Sequence, residues 1–202
     1  MNVWTRDLRN YPFLVMLGLL FAANALFHAR QLGWLDTLPF DPLRFAANVV
    51  MLMIVVVGGR IIPAFTRSAL VAGGKSSSIQ PAPRLEAASL AAVAAVVIGD
   101  LTVPDTKTAG VLTALAAVLL TARLGRWEGV RALGMLLVFV LHVGYAWLAV
   151  ALGLKAAFLL GQLPWAANWL HALTTGAFGT MILAVTTRVA LGHTGRPLIC
   201  RF

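Results

Sequence analysis

Charged residues are scarce in this sequence: Asp, Glu, Lys and Arg together make up 11% of its 202 residues. Soluble domains usually contain about 25%. Acidic residues are especially few, 7 against 16 Lys and Arg. A soluble domain of this length could not form a polar surface from so few charges, which excludes an ordinary soluble enzyme and a disordered chain. The single cysteine, Cys200, excludes an internal disulfide and any multi-cysteine metal site.

Apolar residues take the place of the missing charges, at 60% of the chain. Six apolar runs are each long enough to cross a hydrocarbon core of about 30 Å, which takes about 20 helical residues. Their continuity, without polar alternation, indicates helices rather than barrel strands. The sequence therefore predicts an all-α membrane protein, a multi-pass bundle of six transmembrane helices in the lipid bilayer. We place these helices at residues 12–29, 43–64, 85–103, 107–124, 131–153 and 168–191.

Two connections between the predicted helices are informative. Residues 72–83 contain two glycines and three serines, a composition typical of a flexible linker. We expect this linker to join a two-helix unit, residues 1–71, to a four-helix unit, residues 84–202, within one membrane domain. The connection 104–106 is so short that the third and fourth helices must form a tight antiparallel hairpin.

The carboxylates beside that hairpin are Asp100 and Asp105, which lie on either side of Pro104. Carboxylates at a helix end commonly sit in solvent, and we expect the same of these two. They do not form a carboxylate pair of the kind that hydrolysis requires.

The basic residues are distributed unequally between the two sides of this bundle. Twelve of the 16 Lys and Arg fall on the side that contains the amino terminus, and four fall on the other. Because positive residues stay cytoplasmic, we expect both termini in the cytoplasm, and the excess positive charge requires no nucleic acid. An alternative treats the first helix as a cleaved signal peptide, since Ala23-Asn24-Ala25 fits a small-x-small cleavage site. Removing that helix would leave five spans and break the charge pattern.

Three histidines lie within predicted spans: His28, His142 and His171. A neutral imidazole can bind iron or copper without bringing a charge into lipid, so these residues predict a haem or metal site. The alternative is that each packs against a neighbouring helix and hydrogen-bonds there. His28 and His171 fall at nearly the same depth, as two axial ligands of one haem must. His142 is expected near the bilayer centre, about 16 Å below the outer end of its helix at 1.5 Å per residue.

Four further polar residues have weaker indications. Arg60 and Arg188 could contact a haem propionate or a lipid phosphate. His193 and Arg196 lie in a glycine-containing segment just past the last span, which is typical of a turn or an anion contact. No residue is identified as catalytic.

Small residues recur every four positions along the last helix, at Ala172, Gly176, Thr180 and Ala184. Such a stripe lets helix backbones approach closely in lipid. It predicts a packing seam, either inside the bundle or between two chains.

Two segments of the chain resemble the NnrS family. One is HALTTGAFGTM at residues 171–181, continued by GHTGRP at 192–197, and the other is GGRIIPAFT at 58–66. The resemblance implies a bacterial inner-membrane protein that contains haem and copper and is linked to denitrification and to resistance to nitric oxide. It covers the C-terminal half of that family, and nothing here matches the Trp-His-x-His-Glu segment of the other half.

From this resemblance we expect a haem-binding protein, with copper as a second metal, that acts in the nitric oxide response and has nitric oxide as a ligand. The alternatives are a haem-dependent membrane oxidoreductase acting on nitric oxide or quinone, and a small transporter subunit. Because the chain resembles half of a larger bundle, we also expect it to associate with itself or with another membrane subunit.

Overall fold

The computed structural model describes residues 11–35 and 37–195. All regular structure within these ranges is helical, and six helical stretches are long and apolar enough to cross a membrane. The predicted fold class is therefore confirmed. The helices are α1 Tyr11–Gln31, α2 Pro42–Ala72, α3 Pro83–Thr102, α4 Lys107–Gly125, α5 Leu136–Gly161, α6 Trp169–His171 and α7 Thr180–His193. A π-helix, Ala172–Gly179, joins α6 to α7, and together with the short 3-10 helix Pro164–Asn168 these elements form the sixth span.

Helix α5 differs most from the prediction, since it begins and ends later in the chain. Residues Gly129–Ala132 form a short 3-10 helix, so Arg131 lies before the span instead of inside it. At the other end α5 continues to Gly161, which brings Lys155 into the helix. The sequence pattern places Lys155 in a loop, because a charged residue normally marks the edge of the membrane.

Helix α5 is also the centre of the packing, because it contacts α2, α4 and every part of the sixth span. Its fully buried side chains recur at helical spacing, at Leu141, Tyr145, Leu148 and Leu152. Helix α1 packs chiefly against α2 and stands at the edge of the bundle. The side chains that complete the core around α5 include Val55 of α2, Val96 of α3 and Leu120 of α4.

We name the two ends of the bundle after one residue at each. The Pro104 end contains the segments 32–35 and 37–41 and the connections 103–106 and 162–163, and the Trp127 end contains the connections 73–82 and 126–135. At the Pro104 end, an ion pair joins Arg44, in the first turn of α2, to Asp105 in the connection 103–106. At the Trp127 end, a hydrogen bond joins Ser78 and Glu128 of the two connections. From its charge pattern, the sequence predicts that the Pro104 end is the outer one.

The segment predicted as a linker, residues 72–83, is held at the Trp127 end by Glu128. The carboxylate of Glu128 accepts hydrogen bonds from Ser78 Oγ at 2.5 Å, Ser77 Oγ at 2.9 Å and Arg131 Nη1 at 2.6 Å. Arg131 also donates to the carbonyl oxygen of Ser76 at 2.7 Å. The hydrogen bond from Ser78, followed by those from Ser77 and Arg131, lowers the pKa of Glu128 from 4.5 to about 2, against the opposing effect of burial.

Replacing Glu128 with Gln should therefore loosen residues 76–79, because a neutral amide accepts weaker hydrogen bonds than a carboxylate. Faster hydrogen exchange of those amides would reveal the change, and Glu86→Gln in the exposed first turn of α3 is the control. The pKa of Glu128 is lower in the folded chain than in the unfolded chain. The stabilisation from its hydrogen bonds is therefore complete above the unfolded-state pKa and is lost as the pH falls through the folded-state pKa. In the wild type, protection should thus persist in mild acid and disappear only toward pH 2. Equal hydrogen exchange of residues 76–79 in Glu128→Gln and Glu86→Gln would contradict the proposed role of Glu128.

Candidate functional site

His142 lies near the Trp127 end, in the second turn of α5. The 19 helical positions from His142 to Gly161 place it about 28 Å from the Pro104 end of the helix, farther than the expected distance of about 16 Å. Its ring is 5% exposed. Nδ1 lies 3.0 Å from the carbonyl oxygen of Val138, and Nε2 lies 3.3 Å from that of Trp127 and 3.4 Å from Thr66 Oγ1. A metal at either nitrogen would have to displace one of these contacts.

His28 and His171 both lie at the Pro104 end, and both are exposed. The His28 ring packs edge-on against Phe27 in the last turn of α1, with ring centroids 5.4 Å apart. The elements that carry the two histidines do not pack together, since α1 packs chiefly against α2 and α6 against α5. Across residues 11–35 and 37–195, no group of three or more His, Cys, Asp or Glu is close enough to hold a metal ion. The structure therefore does not bring the three histidines together within one chain.

The π-helix Ala172–Gly179 begins directly after His171 and covers most of the first family-like segment. Helices of this type are rare and occur frequently at functional sites. Gly176 faces inward, because a Cβ there would lie 2.7 Å from Trp147 Cδ2 of α5. At Gly176 the small-residue stripe thus contacts α5 of the same chain, where a leucine would disrupt packing within the chain.

The remaining predicted site residues that the structure describes lie on α2 and α7. Arg60 is exposed on α2, whereas Arg188 is half-buried and its guanidinium carbon lies 4.0 Å from the centroid of the Phe65 ring. His193 is exposed at the end of α7, and Arg196 lies outside the described residues.

A buried ion pair near the Pro104 end joins Asp100 of α3 to Lys155 of α5. Lys155 Nζ donates to both carboxylate oxygens, at 2.6 and 2.5 Å, and Asn48 Nδ2 donates to Oδ2 at 2.8 Å. The ammonium also lies 4.6 Å from the centroid of the Trp169 ring. The two charged side chains are 1% and 2% exposed. The expectation that Asp100 sits in solvent is therefore wrong, because α5 extends far enough to bring a lysine against it.

An open pocket of about 260 Å³ lies at the Pro104 end beside this ion pair. Asn48 and Asp100 form part of its lining, together with a second ion pair in which Arg44 Nη1 donates to both carboxylate oxygens of Asp105, at 2.9 and 3.1 Å. A shallow groove of about 770 Å³ also borders that second pair. The sequence held one signal for this cluster, a lysine within an otherwise apolar run, and such residues in membrane spans are commonly functional.

A second polar cluster lies near the Trp127 end and is built around Arg123 of α4. Its guanidinium is buried, donates from Nη1 to the carbonyl oxygen of Val55 at 3.1 Å and to Tyr145 Oη at 3.2 Å, and lies 5.5 Å from the centroid of the Trp127 ring. The guanidinium packs directly on the α2 backbone at Gly59, where a Cβ would lie 2.5 Å from Cζ and would overlap Nη2. A glycine in the second family-like segment therefore makes room for this arginine.

The two polar clusters are separated by an apolar layer. Tyr145 and Lys155 are ten residues apart on α5, which corresponds to about 15 Å along the helix axis. Leu148 and Leu152 lie between them, are fully buried, and pack against apolar side chains of α2, α3 and α4. Along α5, apolar buried side chains therefore separate the two polar clusters.

A comparison with protein families matches residues 1–201 to the family described as NnrS protein. The search of curated proteins and the search of solved structures found no match. The family predicted from residues 58–66 and 171–197 is confirmed. The match covers essentially the whole chain. The prediction that the resemblance covers only the C-terminal half of the family is therefore slightly wrong. Together with the six apolar helices, it identifies a multi-pass membrane protein.

Proposed function

Because the chain belongs to the NnrS family, we propose that it acts in the bacterial response to nitric oxide, as an inner-membrane protein that binds haem, with copper as a second metal. In this proposal both termini are cytoplasmic and the Pro104 end faces the periplasm, as the positive-inside rule requires. The observation that carries the cofactor proposal is the position of His171, whose exposed imidazole precedes a π-helix within the family-like segment.

The cofactor is held between this chain and a second copy or another membrane subunit. One chain supplies too few imidazoles at any one place, since His28 and His171 are exposed on elements that do not pack together. A second chain that covers the Pro104 end would add the missing ligands and exclude water from them. Nitric oxide is small and apolar enough to reach such an interface through the bilayer.

The test compares His171→Ala with His193→Ala in the purified protein. Both histidines are exposed near an end of the sixth span, so the two substitutions have similar structural costs. Removing a metal ligand should abolish cofactor binding, whereas removing a surface histidine should not. We expect the haem and copper content per chain to fall several-fold in His171→Ala and to stay at the wild-type level in His193→Ala. A wild-type haem spectrum in His171→Ala would contradict the proposal.

Two further variants distinguish the roles of the other histidines. His28→Ala should perturb the same spectroscopic centre as His171→Ala, because both residues lie at the Pro104 end. His142→Ala should leave the cofactor in place, since both ring nitrogens of His142 already contact oxygen atoms of the protein. Loss of haem in His142→Ala, with the fold intact by circular dichroism, would place the site at the Trp127 end instead.

The oxidoreductase alternative differs from this proposal only in turnover. Consumption of nitric oxide by the purified protein with a reductant, at a rate that depends on the amount of protein, would favour it. The transporter alternative requires a polar path, and the apolar layer around Leu148 and Leu152 speaks against one within a single chain.

A further inference from the structure

Helix α1 carries an amide, Asn24, on its exposed surface. The membrane-crossing part of the helix is Phe13–Gln31, whose middle residue is Ala22, so Asn24 lies only about 3 Å along the axis from the centre of the span. Lipid tails cannot hydrogen-bond an amide at that depth, whereas asparagines in membrane helices commonly hydrogen-bond across to a neighbouring helix. We therefore expect this part of α1 to be covered by protein.

His28 lies on the same face of α1 as Asn24. The two residues are four apart, which makes their side chains neighbours on the helix surface, and both are exposed. Because α1 runs toward the Pro104 end, the imidazole of His28 is the outer group and the amide of Asn24 lies one turn deeper in the membrane.

The sixth span presents a matching pair of exposed groups. His171 lies near the Pro104 end, and Thr175 follows four residues later, deeper in the membrane. The hydroxyl of Thr175 can donate and accept a hydrogen bond, as can the amide of Asn24. From the Pro104 end inward, both elements therefore offer an imidazole first and a hydrogen-bonding group second.

These two faces do not meet within one chain, since α1 packs chiefly against α2 and the sixth span against α5. A second copy of the chain provides each face with the complementary one. Contacts across a two-fold axis are reciprocal: if α1 of one chain covers the sixth span of the other, the reverse contact forms as well. A single two-fold axis thus covers both α1 helices.

We propose that two copies of the chain associate through such a two-fold contact, in which α1 of each packs against the sixth span of the other. The amide of Asn24 hydrogen-bonds there to the hydroxyl of Thr175, and His28 of one copy shares an end and a depth with His171 of the other. The pairing of the histidines rests on the proposed function and names the partner that completes its cofactor site. The contact through Asn24 requires no cofactor.

Disulfide cross-linking in membranes tests this contact, in a Cys200→Ser background that removes the single cysteine. Two versions of the full chain with tags of different length are co-expressed, one with Asn24→Cys and one with Thr175→Cys. We expect oxidation to join one version to the other. The control replaces Asn24→Cys with Ala22→Cys, which should give little product. Ala22 is exposed at nearly the same depth, but its direction differs by about 200° around α1.

Asn24→Leu provides a second readout, the monomer–dimer equilibrium in mild detergent. Dimerisation should weaken about fivefold or more, because an interhelical hydrogen bond is lost at each of the two contacts. Ala22→Leu should leave the equilibrium unchanged. Both positions are exposed, so neither substitution disturbs the core of the chain.

The contact and the cofactor proposal fail in different ways. Absence of the mixed product overturns the contact even if haem absorption follows dimers, and so does an equal yield with Ala22→Cys. Cross-linking of the Asn24→Cys version only to itself would show that two α1 helices face each other instead, and unchanged dimerisation of Asn24→Leu would also overturn the contact. Mixed product in protein that binds no haem would support the contact and contradict the cofactor proposal alone.

Discussion

Replacing Gly59 with Ala should lower the free energy of unfolding by about 2–4 kcal/mol, the combined cost of overpacking a tight site and of weakening hydrogen bonds from a charged group. Ala normally stabilises a helix relative to Gly by up to about 1 kcal/mol, so the expected sign is reversed. The reason is the Arg123 guanidinium, which occupies the space that the new methyl group needs. Because that guanidinium is buried and bonded to Val55 and Tyr145, it cannot move aside without losing those partners.

Gly153→Ala is the matched control, since Gly153 also lies inside a spanning helix but no neighbouring side chain lies within 4 Å of the position that a Cβ would take. It should leave stability unchanged or raise it. Reversible unfolding in detergent measures both variants. The cause is isolated by repeating Gly59→Ala in an Arg123→Met background, where the methyl group has room and the additional loss should largely vanish. An equally large loss in that background would show that Arg123 is not what requires the glycine.

Replacing Lys155 with Met should lower the free energy of unfolding by about 3–5 kcal/mol, as expected when one partner of a buried ion pair is removed. Asp100 would keep its hydrogen bond from Asn48 but would lose its only contacting cation among the described residues. Adding Asp100→Asn to the same chain should recover most of the loss, because the remaining carboxylate charge is then gone.

The pair between Arg44 and Asp105 supplies the control for this second prediction. It lies beside the buried pair but is partly exposed, and exposed pairs contribute only about 0–1 kcal/mol. Arg44→Met should therefore be far milder than Lys155→Met under the same unfolding assay. Similar losses in the two variants would indicate that burial does not set the strength of the inner pair.

The overall fold could be predicted because it depends on local composition. Each of the six spans is a continuous apolar run, and a membrane leaves such runs little choice other than a helix. The ends of α5 were less predictable, because Arg131 and Lys155 are charged and a charge normally marks the membrane surface. Residues Gly129–Ala132 form a 3-10 helix instead, and Lys155 is charged but fully buried.

The polar clusters could not be predicted, because each depends on partners that are distant in the chain. Asp100 meets Lys155 across 55 residues, and Arg123 meets the carbonyl of Val55 across 68. In the sequence, Arg123 is only one of several basic residues at the edge that the charge pattern predicts to be cytoplasmic. Glycines at positions 58 and 59 leave room for a close approach, but the side chain that approaches Gly59 is set by the packing of α4 against the bundle.

The arrangement of the histidines could not be predicted either, because it also depends on which helices are neighbours. Helical rise alone places His28 and His171 at one depth, and the structure does place both at the Pro104 end. Depth gives no information about which helices are neighbours, and the peripheral position of α1 separates the two residues. The expected pair of axial ligands within one chain therefore required tertiary information that the sequence pattern does not contain.

The central claim, a cofactor held between chains through His171, is tested most directly by the absorption spectrum of the purified protein resolved by particle size. Chromatography in mild detergent, with mass measured across each peak, separates single chains from larger assemblies. We predict that haem absorption follows only particles with two or more subunits, shifts when nitric oxide is added, and is lost with His171→Ala. A single chain that carries a full complement of haem and keeps its spectrum in His171→Ala would contradict the claim.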